Sequence, residues 1–233
     1  MRITIETKRA NNTTYYVADI QLSSAQYLKT ALAQNTFGRN IKQTTSDMAE
    51  ENKAIFAING DYYGFRNSGF VVRNGTVYRT SSRTSGITED LVIDSAGNFS
   101  ILDEADTTAA ALKSLNAWQV FSFGPSLIQN GKITVTANSE VGQSMTSNPR
   151  TAIGQVAALH YIVIVSDGRT SASKGLSLLE LAQAMKQEGC TTAYNLDGGG
   201  SSTMWFNGKV INNPVNGRSS SERSVSDIVY FGY

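Results

Sequence analysis

Apolar side chains fall into short runs along the chain, and the spacing within these runs predicts strands more often than helices. Tyr15–Leu22 alternates loosely between apolar and polar positions, as a half-buried strand does, and Met1–Ile5 begins the chain in the same way. Tyr161–Val165 is an uninterrupted run rich in Ile and Val, which predicts a central strand buried on both faces. Further strands are expected at Ala54–Ile58, Phe70–Arg73, Ala193–Leu196, Met204–Phe206 and Val225–Phe231.

Asn-Gly pairs stand between several of these runs and predict tight hairpins. They occur at Asn74-Gly75, Asn130-Gly131 and Asn207-Gly208. A type I′ turn needs positive φ at both of its central residues, and Asn followed by Gly meets that need at the least steric cost. We therefore expect each pair to reverse the chain between two antiparallel strands.

Helices are predicted at fewer places. Asp47–Asn52 and the Ala-rich segment Thr107–Leu115 are typical of short helices. Ser177 and Glu180 form a capping box, in which two side chains satisfy helix N–H groups that have no partner inside the helix, and Gly189 suits the position after its last turn. The apolar face of this helix is expected at Leu178, Leu181, Ala182 and Met185.

This pattern predicts an α+β fold. Strands and hairpins dominate, several short helices accompany them, and neither a linker nor a clear internal repeat divides the chain. We expect a single domain over residues 1–233, built on a mixed or antiparallel β-sheet core, with residues 1–13 as candidates for an added or linker-derived segment.

Composition excludes several classes of protein. The chain is 40% hydrophobic and 17% charged, which is typical of an ordered domain, and 20 basic residues balance 19 acidic ones to a net charge of +1. Because no basic stripe is present, we expect no nucleic-acid partner. No apolar run of about 18 residues exists, so we expect no membrane contact by this chain, and we expect no signal peptide in it.

Cysteine and histidine each occur once, as Cys190 and His160. An intrachain disulfide is therefore impossible, and the common zinc sites, which need several such ligands, are excluded. A Ser-His-Asp triad would have to use His160. Because that residue opens a predicted buried strand and no Gly-x-Ser-x-Gly elbow is present, a structural role is favoured for it.

The most informative segment is Asn195–Thr203, where a strand delivers Asp197 to a run of three glycines followed by Ser201 and Ser202. Consecutive N–H groups in such a loop can form an anion-binding nest, and the hydroxyls add donors. A plain flexible turn is the alternative, but three glycines in a row are entropically costly, which favours a site. The segment lacks the ending of a P-loop and the spacing of a dinucleotide fingerprint.

Arginines and carboxylates stand at the ends of other predicted strands. Pro149 keeps the chain extended before Arg150, which could grip a phosphodiester with two parallel hydrogen bonds or simply face solvent. Asp167 and Arg169 follow the buried strand and could bind a ligand or pair with each other. Ser221–Arg223 precedes the last strand.

A fourth polar cluster, Asn59–Gly64, follows another apolar strand and includes Asp61 and two tyrosines, which could stack on a sugar or belong to the core. One polar strand end is ordinary. Four of them predict a shared cleft, because loops on a rigid sheet are where sites are built.

With these segments the sequence resembles the phosphodiester glycosidase family over nearly the whole chain, from about Tyr15 to Tyr233. The motifs that carry the resemblance are Ala57–Tyr63, Phe123–Leu127, Asn148–Gly154, Asp167–Arg169 and Asn195–Ser202. The resemblance implies a hydrolase that removes a sugar, GlcNAc-like, from a sugar-1-phosphate diester of a cell-surface glycan, exopolysaccharide or glycoconjugate. It also implies an extracellular or cell-surface location.

The resemblance also supplies candidate site positions. The roles follow from mechanism, because glycosyl transfer to water normally uses two carboxyl groups. Asp197 is expected as nucleophile or base, with Glu222 and Asp167 as candidates for the second carboxylate, although either could only orient an arginine. Arg150 and Arg223 are expected to hold the phosphate. The substrate-binding and phosphate-binding positions are Arg150, Arg169, Arg223, Asn59, Asp61, Asn195, Gly198, Gly199, Gly200, Ser201 and Ser202.

Several alternatives stay open at the level of sequence. No cofactor is expected, and a divalent cation on Asp61, Asp167 and Asp197 lacks the spacing of a calcium loop. The cleft could capture a wall or exopolysaccharide phosphodiester without cleaving it, or transfer the glycosyl unit to another sugar. The sequence does not indicate the sugar, the aglycone, the oligomeric state or which bond, C–O or P–O, is broken.

Overall fold

The computed structural model describes residues 1–139 and 147–233, and its elements follow the predicted mixture of many strands and few helices. The strands are β1 (Arg2–Ala10), β2 (Thr13–Gln21), β3 (Leu28–Leu32), β4 (Phe56–Asn59), β5 (Val71–Arg73), β6 (Thr76–Arg79), β7 (Glu89–Ile93), β8 (Phe99–Asp103), β9 (Gln119–Phe121), β10 (Ser126–Gln129), β11 (Lys132–Ile133), β12 (Thr151–Ala157), β13 (His160–Ser166), β14 (Thr192–Asn195), β15 (Met204–Phe206), β16 (Lys209–Val210) and β17 (Asp227–Phe231). The helices are α1 (Thr45–Glu51), α2 (Ala109–Ser114) and α3 (Leu178–Gln187).

The strands form three antiparallel sheets. The largest has the order β1-β2-β13-β12-β14-β10-β11, the second β16-β15-β4-β17-β3 and the third β6-β5-β9-β7-β8. Every strand pairing in the described part of the chain is antiparallel. The predicted α+β class with an antiparallel core is therefore confirmed. β1 pairs with β2 along its whole length, from Arg2 opposite Gln21 to Ala10 opposite Thr13.

β13 lies in the middle of the large sheet, between β2 and β12, as its apolar run predicts. Side chains of a strand alternate between its two faces, so Tyr161, Val163 and Val165 enter one core while Ile162 and Ile164 enter another. Helix α3 covers the second of these faces. The first face packs against apolar side chains of the other two sheets, which makes the main core.

Local turn and cap chemistry also follows the prediction. Asn74 and Gly75 have φ angles of 49° and 80°, as a type I′ turn requires, and the other two Asn-Gly pairs are likewise positive at both residues. Ser177 accepts a hydrogen bond from the Glu180 backbone, and the Glu180 side chain accepts one from the Ser177 backbone, which completes the predicted capping box. His160 opens β13 and contacts Asp19 at 2.9 Å.

One buried cation connects the second and third sheets. Arg73, at the end of β5, places its Nε 2.9 Å from Asp227 Oδ2 in β17 and its Nη2 2.9 Å from Asp61 Oδ2 just after β4. Its guanidinium also lies over the ring of Phe121, 4.5 Å from the centroid. Burial raises the pKa of Asp227 to about 8, and the positive charge of Arg73 opposes that rise. We call this cluster the Arg73 triad.

Within the described residues, no helix is both long and apolar enough to cross a membrane.

The Arg73 triad predicts a large loss of stability when its cation is removed. We expect Arg73→Met to lower the free energy of unfolding by about 3–5 kcal/mol, because two buried carboxyl groups lose their counter-charge. The loss should shrink as the pH is lowered through about 8, since protonation of Asp227 then removes one of the negative charges that Arg73 balances. Urea unfolding at several pH values measures it, with the exposed Arg218→Met as control. A loss below about 1 kcal/mol for Arg73→Met would contradict this role.

Candidate active site

The antiparallel order of the large sheet brings three of the predicted strand ends to one edge. β12 runs opposite to both β13 and β14, so the start of β12 lies beside the ends of its two neighbours. Arg150, Asp167 and Asp197 are therefore delivered to the same side of the sheet. β4 of the second sheet ends next to them, where the Asp197 N–H donates to the Gly60 carbonyl at 3.3 Å.

Asn59 supports the glycine loop from below. Its Oδ1 accepts hydrogen bonds from Thr151 Oγ1 at 2.9 Å and from the Thr203 N–H at 3.2 Å. Its Nδ2 donates to the Asp197 carbonyl at 2.6 Å. Because the side chain is fully buried and engaged on both sides, Asn59 holds the loop in place and does not line a cavity.

The glycine loop is not the open nest of N–H donors that the sequence predicts. The Gly198 N–H donates to Asp197 Oδ1, that of Gly199 to the Pro149 carbonyl, and those of Ser201 and Ser202 to carbonyls inside the loop. The glycines instead allow two arginine side chains to lie close to the backbone of the loop. A Cβ on Gly199 would lie 3.0 Å from the Arg169 guanidinium, and one on Gly200 would lie 2.6 Å from Arg223 Nη2.

A cavity of about 500 Å³ opens above this loop, and its wall is rich in arginine. Asp197 is the one acidic residue among those that line it in the described part of the chain. The arginines at its wall are Arg66, Arg83, Arg150, Arg169 and Arg223. Such a concentration of positive charge in a concave site favours an anionic ligand.

Three of these arginines are held by neutral groups. Arg66 donates to the Ser122 carbonyl at 3.2 Å and lies over the Phe123 ring, Arg169 donates to Asn148 Oδ1 at 3.1 Å, and Arg223 donates to Asn216 Oδ1 at 3.4 Å. Within residues 1–139 and 147–233, no ion pair joins any of the three to a carboxylate. Their charges are therefore available to a bound anion.

The other two arginines are more firmly tied to the protein. Arg83 pairs with Asp90 at 2.6 Å and with Glu104 at 3.2 Å, so its charge is compensated. Arg150 is 5% exposed, and its Nε donates to the Leu176 carbonyl at 2.9 Å.

Two opposing effects act on the pKa of the Asp197 carboxyl group. Burial raises the pKa of its carboxyl group to about 6, whereas hydrogen bonds from Ser201 and Gly198 and the charges of Arg223 and Arg66 limit the rise. A carboxyl group that titrates near neutral pH inside a cavity suits proton transfer or nucleophilic attack.

The two other carboxylates that the sequence offers for catalysis do not line this cavity. Asp167 accepts hydrogen bonds from Tyr16 Oη and from both the N–H and Nδ2 of Asn213, at 2.8–3.2 Å. Glu222 accepts from the Ser46 N–H at 3.0 Å and from the Ser46 hydroxyl. They anchor the two ends of the segment between Asn213 and Glu222, which leads directly to Arg223. We call it the Arg223 loop.

The remaining predicted positions divide between wall and support. Asn195 lines the cavity, is 4% exposed and donates through Nδ2 to the Gly124 carbonyl at 2.9 Å. Asp61 is bound within the Arg73 triad, and its carboxylate also accepts from the Ser122 and Tyr63 N–H groups. Ser202 is buried and lies outside the lining of the cavity.

Sequence reasoning missed Arg66. The residue stands just beyond the tyrosine cluster after β4, and the short 3-10 turn Tyr63–Phe65 directs it over Phe123. The position of Arg66 next to a recognised motif could have indicated a role for it. Its contact with the Phe123 ring, 57 positions further along the chain, could not be predicted from the sequence.

The described side chains do not form a metal site. Among residues 1–139 and 147–233, no group of three or more His, Cys, Asp or Glu side chains is placed to hold a metal ion. Asp61 and Asp167, two of the three candidate ligands, are occupied by protein donors.

Comparison with known proteins places these features in context. The sequence model of the phosphodiester glycosidase family matches residues 52–232, more than half of the chain. The SPbeta prophage-derived uncharacterized protein YomE of Bacillus subtilis is 30% identical over 203 residues, covering 84% of this chain and 31% of that protein. The mouse N-acetylglucosamine-1-phosphodiester alpha-N-acetylglucosaminidase is 32% identical over 100 residues, which is 38% of this chain and 19% of that protein.

Among solved structures, the catalytic domain of the zebrafish N-acetylglucosamine-1-phosphodiester alpha-N-acetylglucosaminidase, auto-inhibited by its pro-peptide, superposes with a TM-score of 0.77. The match covers 100% of this chain and 82% of that one, at 20% identity, so it shows a shared fold. This chain spans less than a third of the Bacillus protein and about a fifth of the mouse enzyme.

The setting of Asp197 predicts an unusual titration. We expect its carboxyl resonance to titrate with a midpoint near pH 6 in carbon NMR, well above the ordinary aspartate value of about 3.9. Arg66→Met and Arg223→Met should each raise the midpoint further, because each removes a positive charge that favours the ionised form. The control is Lys209→Met, on the exposed strand β16. A midpoint near 4 in the parent protein would contradict the description of this site.

Proposed function

Because the chain belongs to the phosphodiester glycosidase family, we propose that it hydrolyses a sugar-1-phosphate diester at the arginine-lined cavity. The observation that carries the proposal is the presence of one carboxylate, Asp197, in a cavity wall where three arginines, Arg66, Arg169 and Arg223, form no ion pair with a carboxylate of the described residues. An anionic diester would supply the missing negative charge.

The phosphate is held by guanidinium groups in this proposal. Arg169 and Arg223 lie against Gly199 and Gly200, so both can reach the space above the loop, and Arg66 approaches from the side of Phe123. A guanidinium offers parallel N–H donors that match two phosphate oxygens. Arg150, buried beside the Leu176 carbonyl, contributes charge at the floor of the same cavity.

Asp197 attacks the anomeric carbon or activates the water that does so. In either case the bond between the anomeric carbon and its oxygen breaks, and the oxygen leaves with a phosphate monoester. Phosphate is a good leaving group, so its developing charge needs stabilisation by the arginines more than it needs a proton. Among the described residues, Asp167 and Glu222 are engaged in anchoring the Arg223 loop, so the proposed mechanism uses neither of them as a catalytic group.

The proposal also includes a class of substrate. The mouse and zebrafish proteins are named as N-acetylglucosamine-1-phosphodiester alpha-N-acetylglucosaminidases, which supports a GlcNAc-like sugar here as well. We propose a cell-surface glycan, exopolysaccharide or glycoconjugate as the source of the diester and an extracellular or cell-surface place of action. No cofactor is needed, because the arginines perform the electrostatic task that a divalent cation would otherwise perform.

Turnover of an α-GlcNAc-1-phospho-6-mannoside tests the proposal. We expect the parent chain to release the sugar and Asp197→Asn to lose at least about 100-fold in kcat/KM, because the amide neither accepts a proton nor attacks carbon. Arg169→Met should lose about 100-fold or more, since one donor to the leaving phosphate is removed. For the parent, kcat/KM should be about tenfold lower at pH 5 than at pH 7, because Asp197 must be ionised and its pKa is about 6.

A control variant and analysis of the products distinguish hydrolysis from binding without cleavage and from glycosyl transfer. Arg2→Met, exposed on β1 and outside both this cavity and the Arg223 loop, should keep the parental rate. In heavy-oxygen water the label should enter the sugar, and label in the phosphate would contradict cleavage of the C–O bond. Tight binding of the diester without turnover would identify a binding module instead, and product formed only with an added sugar acceptor would identify a transferase.

A further inference from the structure

Asp197 stands between two cavities of different size. Besides the arginine-lined cavity, a smaller one of about 170 Å³ opens on its other side, and the two share Asp197 and Arg223 in their walls. A substrate that reacts at Asp197 can therefore extend from one space into the other.

The walls of the two cavities differ in chemistry. Three serines, Ser201, Ser224 and Ser226, and two aromatic residues, Tyr62 and Phe65, line the smaller one. Its remaining lining residues are Lys42, Asp61, Asp197, Arg223 and Val225. The charge of Asp61 is already compensated by Arg73. Hydroxyls beside aromatic rings suit a neutral polyhydroxylated ligand, whereas five arginines suit an anion.

Ser226 gives an independent sign that the smaller cavity takes a polar ligand. The residue is 1% exposed, and its Oγ has no hydrogen-bond partner among the described residues. The side chain packs closely against Gly64, where a Cβ would lie 2.5 Å from the Ser226 Oγ. A buried hydroxyl without a partner is costly, so its presence in a cavity wall points to a partner supplied by a ligand.

Tyr62 provides an exposed and well-supported ring at the mouth of this cavity. Its side chain is 38% exposed, and the ring stacks on Phe65 with centroids 4.9 Å apart and an interplanar angle of 23°. The Arg66 guanidinium lies 5.6 Å from its centroid. A ring fixed in this way presents an apolar face to the C–H face of a sugar.

We propose that the smaller cavity binds the glycosyl ring of the substrate, with Tyr62 stacking on it and Ser226 bonding one of its hydroxyls. The phosphate and the group attached to it then occupy the larger cavity, and the scissile bond lies at Asp197 and Arg223. The inference rests on the proposed function. Asn195 agrees with it, because its buried Oδ1 has no partner among the described residues and can accept only from a donor such as an aglycone hydroxyl.

Binding measurements without turnover test this division. The probes are inorganic phosphate and a panel of methyl α-glycosides of common hexoses and N-acetylhexosamines, titrated by NMR against the full chain. We expect Tyr62→Ala and Ser226→Ala each to weaken the best-bound glycoside by about tenfold while leaving phosphate binding unchanged. Arg169→Met should do the reverse. Tyr78→Ala is the matched control, because Tyr78 is 39% exposed and stacks on Phe37 but lines neither cavity.

Ser226→Ala removes a hydroxyl that has no protein partner in the described chain, so we expect the variant to fold as the parent does. As a second readout, Tyr62→Ala should raise KM for the diester about tenfold without changing inhibition by phosphate. Phosphate binding with no glycoside bound, or glycoside binding insensitive to both variants together with an unchanged KM, would overturn the inference. Glycoside binding that depends on Tyr62, in a chain that cleaves no diester, would support this subsite and overturn the proposed hydrolysis.

Discussion

The candidate site depends on the buried guanidinium of Arg73. By binding Asp227 and Asp61 together, it joins β5 of the third sheet to the end of β4 in the second. Asp227 in turn packs so closely against Gly60 that a Cβ there would lie 2.4 Å from its Oδ1. The Gly60 carbonyl accepts from the Asp197 N–H, so the position of the reactive carboxylate follows from a charge cluster in the core. A buried ion cluster of this kind contributes more to a unique arrangement than to net stability.

The four acidic residues of the predicted site fall into three different environments, and the groups around each residue decide its role. Arg73 compensates the charge of Asp61 in the core. Asp167 accepts hydrogen bonds from Asn213, and Glu222 accepts them from Ser46. Asp197 accepts from Gly198 and Ser201 of its own loop, and burial raises the pKa of its carboxyl group to about 6 against the opposing charges of Arg223 and Arg66. Side chains of one chemical type therefore separate into structural and reactive groups through their surroundings.

The sequence could reveal what local chemistry determines. The apolar run at Tyr161–Val165 and the Asn74-Gly75 turn carry their structure in a few neighbouring residues, and both predictions are confirmed. β7 was not predicted, because its first two residues, Glu89 and Asp90, are acidic, and Asp90 is buried through its pairing with Arg83. The sequence also predicted that the motifs of the site lie together at the ends of strands, because the end of a strand can be recognised from neighbouring residues.

The roles of individual residues there could not be foreseen, because they rest on partners far along the chain. Glu222 meets Ser46 across 176 positions, and Asp167 meets Asn213 across 46. These two anchors have a consequence for the thermodynamics of recognition. Since both ends of the Arg223 loop are already held, much of its conformational entropy is lost when the chain folds and little remains to be lost when an anion binds. In the proposed function, the affinity of Arg223 for the substrate phosphate is thereby coupled to the local unfolding equilibrium of its loop.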